Sequence, residues 1–137
     1  MKIFTIGYGG RKPSEFIVLL KQKDIKTIID VRIKPVGYMA FFTKAKSSEK
    51  GIEGLLSREG IGYRHMPELG NQFINMSNWR DLFQKYVENQ EPSWITRISE
   101  ILGPCCLMCS EKKNNECHRA IITDYLSKKG WEIEHIE

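Results

Sequence analysis

Apolar positions along the chain alternate between two spacings. Ile3, Phe4 and Ile6 form a short β-rich run that stops at Gly7 and predicts a first strand. Phe16, Leu19, Leu20 and Lys23 then follow helical spacing, with Pro13 suited to a first helical position. Thr27 to Val31 is a continuous β-branched run, the pattern of a strand buried on both faces. Ile52, Leu55 and Leu56 predict a helix weakened by Gly51 and Gly54 and stopped by Gly60. Ile61, Tyr63 and His65 alternate as a third strand. Trp79, Leu82, Phe83 and Tyr86 share one helical face. Trp94, Ile95, Ile98 and Leu102 share another, which Pro104 should end. Cys105 to Cys109 reads as a fourth buried strand and His118 to Lys129 as a helix closed by Gly130. Trp131, Ile133 and His135 alternate in a last strand.

Strand followed by helix, repeated about five times, predicts βαβ units. The expectation is a single-domain α/β fold over residues 1–137, with a mostly parallel sheet of about five strands and helices on both faces. The longest irregular stretches run from Arg32 to Ser48 and from Met66 to Asn78. Loops of that length inside a compact domain are usually functional.

Composition narrows the class. With 41% hydrophobic and 28% charged residues the chain falls in the ordinary globular range, which argues against a disordered tail. No apolar run approaches the roughly 18 residues that span a bilayer, and no signal-peptide pattern opens the chain, so no membrane partner is expected. The 4 cysteines are too few for a disulfide scaffold. Their clustering between Cys105 and Cys117 points to local chemistry in a reducing cytoplasm. A net charge of +4 permits an anionic partner without requiring one.

In open α/β sheets, ligands bind outside the carboxyl ends of the strands, so each predicted strand end is read for its chemistry. The first ends in TIGYGGRKPSEF. Gly7, Gly9 and Gly10 permit positive φ and close backbone approach, and a helix N-terminus follows Arg11. With Tyr8 and Gly9 beside it, that combination suits an anion; a plain glycine turn is the structural alternative. The second ends in IIDVRIKP. An aspartate in an apolar run needs a partner, and Arg32 shares the side of Asp30 at strand spacing. The two are either a structural ion pair or part of a catalytic mouth. The third ends at His65, with Glu68 and Asn71 in the loop beyond. Glu68 either acts on a ligand or holds the loop by accepting backbone N–H bonds.

The fourth strand end, CLMCSEKKNNECHRAIITDYL, carries the sharpest pattern. Cys109 ends the strand, Glu111 lies in the polar loop, and Cys117 opens the next helix. A thiol at a helix N-terminus near His118 or Arg119 is favoured as a thiolate. Cys117 is therefore the candidate nucleophile and Cys109 a resolving partner or second polar wall. Glu111 or His65 would serve as general acid or base, and Arg119 with Arg32 would stabilise an oxyanion. Cys106, Cys109, Cys117 and His118 make a zinc set by count, but strand alternation sends Cys106 and Cys109 to opposite faces. No metal and no cofactor are therefore assigned. A redox pair of Cys109 and Cys117 needs Cα atoms within about 7 Å, a distance the sequence does not contain. Cys105 and Cys106 read as small buried hydrophobes, Trp79, Phe83, Tyr86 and Trp94 as core, and Lys44, Lys46 and Lys50 as a solvated face.

Taken in order, TIGYGGRKPSEF, IIDVRIKP, YRHMPELGN and CSEKKNNECHRAIITDYL resemble the domain of unknown function 488 family, from Thr5 to about Ile136. The resemblance implies a compact cytoplasmic prokaryotic α/β domain without an established biochemical function. Its pattern falls on Gly7, Tyr8, Asp30, Arg32 and Pro35. It continues on His65, Glu68, Leu69 and Gly70, then on Cys109, Glu111, Cys117, His118 and Arg119. Where many members carry Ser-Arg after DVR-x-x-P, this chain has Gly37 and Tyr38, so that arginine's role is missing or falls to Arg11. IIDVR is also similar to the rhodanese strand, but neither Cys109 nor Cys117 stands at the Cys-x5-Arg spacing those enzymes use.

These patterns converge on an enzyme-like cleft at the strand carboxyl ends, acting on an anionic small molecule that carries phosphate or a nucleotide. The alternatives are a nucleic-acid-binding module using the same basic mouth, with Arg11 and Lys44, and a metal-stabilised structural domain.

Overall fold

The predicted strand runs become strands β1 (Lys2–Gly7), β2 (Thr27–Asp30), β3 (Gly62–His65), β4 (Cys105–Cys109) and β5 (Glu132–Ile136). The helical patterns become α1 (Pro13–Gln22), α2 (Gly51–Ser57), α3 (Trp79–Asn89), α4 (Glu91–Glu100) and α5 (Arg119–Lys128). The structure, a computed structural model, describes residues 1–33, 51–110 and 117–137. All five strands pair in parallel in the order β3-β2-β4-β1-β5. The fold is α/β, with helices on both faces of the sheet.

Strand alternation divides the core in two. Ile3, Ile29 and Leu107 face α3, α4 and α5, where Phe83, Trp94, Ile122 and Leu126 cover them. Ile6, Ile28 and Met108 face α1 and α2, under Phe16, Leu20, Ile52 and Leu56. β2 and β4 are buried along their whole length, which is why their sequences read as unbroken apolar runs. Trp94 is buried with its indole Nε1 donating to the Val87 carbonyl at 2.9 Å, so burying its polar edge costs little.

The segment after α4 departs from expectation. The helix stops at Glu100, Ile101 turns extended (ψ 140°), and Leu102 is 73% exposed rather than part of the apolar face. The carbonyls of this segment serve the start of β2 instead. Leu102 O accepts from Thr27 Oγ1 at 2.9 Å, and Pro104 O accepts from the Lys26 amide at 2.8 Å. Between Met66 and Asn78 the chain is irregular as expected, apart from one 3-10 turn at Pro67–Leu69. Among the described residues no helix is long and apolar enough to cross a membrane.

Register places the candidate residues along one edge. Gly7 lies opposite Cys109, and Asp30 lies opposite both Met108 and His65. β2 leads to α2 on one face while the neighbouring β4 leads to α5 on the other. The chain therefore parts at the carboxyl ends of β2 and β4, the place where open α/β sheets form a crevice.

Candidate functional site

Asp30 is fully buried, and among the described residues its carboxylate accepts four hydrogen bonds. Oδ1 takes the Arg32 amide at 3.0 Å and Arg32 Nε at 2.9 Å; Oδ2 takes Arg32 Nη2 at 2.7 Å and the Tyr63 hydroxyl at 2.6 Å. The guanidinium thus grips the carboxylate with two parallel bonds, the strongest geometry for this pair. Burial works against the Arg32 charge. The hydrogen bonds and charge of Asp30, joined by Tyr8, outweigh it and hold the guanidinium pKa above its usual value. Burial and then the Asp30 charge push the Tyr63 phenol well above its ordinary range. Tyr8 completes the group, with its hydroxyl 3.4 Å from Arg32 Nη1 and its ring beneath the guanidinium.

A second cluster lies across the sheet. Cys109 and Cys117 are both buried on the α3–α5 side, joined as a disulfide although their Cα atoms stand 7.4 Å apart, slightly beyond the roughly 7 Å expected for such a pair. His118 lies against both, with Nε2 2.9 Å from the Val31 carbonyl oxygen. A carbonyl only accepts, so Nε2 carries the proton, and in the neutral ring Nδ1 is the acceptor. That nitrogen lies 3.5 Å from Cys117 Sγ and 4.0 Å from Cys109 Sγ. Phe83 meets the imidazole edge-on at 5.2 Å and helps fix its plane. The Arg119 amide donates to Cys117 Sγ at 3.5 Å, at the start of α5. Among the described residues, Cys109, Cys117 and His118 are the group able to hold a metal ion, their ligand atoms all within 4.8 Å of one another. Cys106 faces the opposite core, as alternation predicts, and burial pushes its thiol pKa up.

The remaining candidates are distributed around these two clusters. His65 Nε2 lies 2.7 Å from the Arg32 carbonyl oxygen, so this ring too holds the backbone that leaves β2. Arg11 is buried, donating through Nε to Gly7 O at 2.7 Å and through Nη2 to Glu137 O at 3.0 Å. In the glycine turn the amides of Tyr8, Gly9 and Arg11 are bonded to Cys109 O, Ser110 O and Tyr8 O. Glu68 pairs with Arg97 of α4 at 2.9 Å, and Asn71 caps its own turn by accepting from the Phe73 amide at 3.0 Å. Arg119 is buried beneath α5. After burial itself, its charge is what holds the His135 ring below the ordinary histidine pKa. Glu111, Pro35, Gly37, Tyr38 and Lys44 lie outside the described residues.

Gly70 explains the third motif. A Cβ there would lie 2.7 Å from Ile33 Cα, so the turn after Leu69 packs directly on the backbone leaving β2. The DVR, PELG and CHR segments therefore meet on one short stretch, Asp30 to Ile33, which Gly70 flanks and His65 and His118 hold. A family model described as Domain of unknown function DUF488 matches residues 12–126. The chain belongs to that family. No match was found among curated proteins or among solved structures.

In this DUF488 protein the motif residues gather at the strand carboxyl ends but do not form a single contact cluster. Asp30 and Arg32 sit with Tyr8 and Tyr63 on the α1–α2 side, while Cys109, Cys117 and His118 lie on the other. The backbone from Asp30 to Arg32 connects them. Three participants carry no sequence signature for this role: the Tyr63 hydroxyl, the Val31 carbonyl and the Phe83 ring. Tyr63 and Phe83 read as alternating and core residues, and a backbone carbonyl has no residue type to betray it.

Proposed function

We propose that this DUF488 protein is a thiol-dependent enzyme whose centre is the Cys109–Cys117–His118 cluster, acting on a small anionic disulfide. The observation that carries this reading is the orientation of His118. Its Nε2 proton is committed to Val31, so Nδ1 faces Cys117 Sγ at 3.5 Å. Nucleophile, base and a third group that orients the base is the arrangement by which activated thiols are built. The Arg119 amide on the same sulfur and the positive end of α5 favour the thiolate and an anionic substrate.

In the reaction, the Cys117 thiolate attacks one sulfur of the substrate disulfide, forming a mixed disulfide and expelling one thiolate. Cys109 then attacks Cys117 Sγ, closes the protein disulfide and expels the second thiolate. The protein dithiol is oxidised and the substrate disulfide is reduced to two thiols. In a reducing cytoplasm, where we place the protein, disulfides are transient and either catalytic or redox-sensing. The nucleic-acid-binding alternative has less support, because Arg11 and Arg32 direct their donors to Gly7, Glu137 and Asp30.

The test uses the reduced protein and oxidised glutathione, with mass spectrometry of each cysteine. Cys109→Ser should accumulate a mixed disulfide on Cys117, and Cys117→Ser should accumulate none. A Cys109→Ser protein that stays unmodified while the wild type also stays reduced would overturn the reading.

A further inference from the structure

Disulfide exchange uses the cluster as two sulfurs and a base. The same atoms, in the dithiol state, also match the donor set of a soft divalent cation. We infer that Cys109, Cys117 and His118 form a zinc-binding site in the reduced protein, and that metal and disulfide are mutually exclusive occupants of it. This inference uses the same residues as the proposed thiol chemistry, but it makes a separate claim.

Three observations carry it. The first is ligand spacing: a tetrahedral zinc with bonds of about 2.3 Å to sulfur and about 2.0 Å to nitrogen sets each sulfur about 3.6 Å from the nitrogen. With the disulfide closed, Nδ1 already lies 3.5 Å from Cys117 Sγ and 4.0 Å from Cys109 Sγ, so after reduction the two sulfurs need only part to the roughly 3.8 Å of tetrahedral ligation. The second is the outer partner. Metal-binding imidazoles nearly always donate their other N–H to a carboxylate, a carbonyl or water, which fixes the tautomer. His118 does so to Val31 O at 2.9 Å, pointing Nδ1 at both sulfurs. The third is backbone spacing. The two Cα atoms stand 7.4 Å apart, wider than the roughly 4.4–6.8 Å usual for disulfides, and an ion between the sulfurs suits that separation.

Charge favours the same occupant. Burying two thiolates side by side carries a heavy electrostatic cost, whereas a divalent ion with two thiolates and a neutral imidazole is neutral overall. Cys2His with an open fourth position is an established zinc ligand set. Binding releases two thiol protons to solvent. A disulfide or peroxide oxidant then takes two electrons from the two sulfurs, the protein disulfide forms, and zinc leaves as the divalent ion.

The experiment begins with reduced, chelator-treated protein under anaerobic conditions, titrated with zinc and separately with cobalt. One equivalent of zinc should bind, and cobalt should give the intense sulfur charge-transfer absorption and visible bands of tetrahedral thiolate ligation. Adding oxidised glutathione or peroxide should release the metal in step with disulfide formation. His118→Gln, which keeps a donor for Val31, should bind zinc more than about tenfold more weakly. Substoichiometric zinc, or cobalt spectra without the sulfur band in the folded wild type, would overturn the site. If zinc does not bind but the metal-free protein still exchanges with oxidised glutathione, only the metal inference fails. If the metal binds but neither cysteine exchanges in the metal-free protein, only the enzyme reading fails.

Discussion

His118 Nε2 lies 2.9 Å from the carbonyl oxygen of Val31, 87 positions earlier in the chain. One ring thus closes the gap between the helix that opens at CHR and the strand that ends at DVR. Its two nitrogens have separable duties, and substitution should separate them. His118→Gln can still donate to Val31 and should retain most of the thermal stability. His118→Ala leaves a buried carbonyl unpaired, at a cost of about 1–3 kcal/mol. Both variants should lose roughly 100-fold or more in disulfide-exchange rate, as expected when a positioned base is removed. Thermal unfolding and exchange kinetics on the two variants check this together.

The Asp30–Arg32 pair should behave as a buried ion pair. Asp30→Ala leaves Arg32 charged and largely buried and should destabilise the protein by about 3–5 kcal/mol. Removing both charges should cost less than the sum of the single changes, because the second no longer strands a partner. Urea midpoints for the two single variants and the double variant measure the coupling.

Gly10 and Gly70 are glycines for different reasons. Gly10 has φ +71° with nothing within 4 Å of a built Cβ, whereas Gly70 has φ −76° and Ile33 backbone at 2.7 Å. Asparagine tolerates left-handed φ, so Gly10→Asn should cost less than Gly10→Ala. At Gly70 the order reverses: alanine should cost about 1–3 kcal/mol by displacing backbone, and asparagine more. Four thermal melts decide whether conformation or space rules each position.

His135 makes stability sensitive to acid. Its Nδ1 lies 2.8 Å from Thr5 Oγ1. Burial, then the Arg119 charge, lower its pKa below 6.5, with Glu137 and Asp124 opposing. The unfolded chain therefore binds the proton first. As pH falls through about 6.5 the folded state loses relative stability, and the loss is complete below the folded pKa. His135→Gln should flatten this slope, seen by comparing melting temperatures at about pH 7.5 and about pH 5.

Much of this was legible from residue types alone. Asp30 in an apolar run announced a buried partner, and Arg32 two positions on supplied it. Alternation separated Cys106 from Cys109. Arg11 was legible as a charge near the first turn, but its engagement with Gly7 and Glu137 depends on where β5 ends beside β1. Leu102 fitted the helical face by spacing. Its carbonyl's bond to Thr27 accompanies a segment that has left the helix, a long-range demand invisible to a local pattern.

By itself the sequence determined the elements, their alternation and the edge where polar residues gather. Those follow from local periodicity, from glycine and proline stops, and from the parallel wiring that βαβ units impose. The tertiary structure alone decided which side chains meet. Strand order and register come from hydrogen bonds between segments far apart in the chain, and a slip of one residue would turn every side chain to the other face. Asp30 with Tyr63, Cys109 with Cys117, and His118 with Val31 all depend on that long-range pairing.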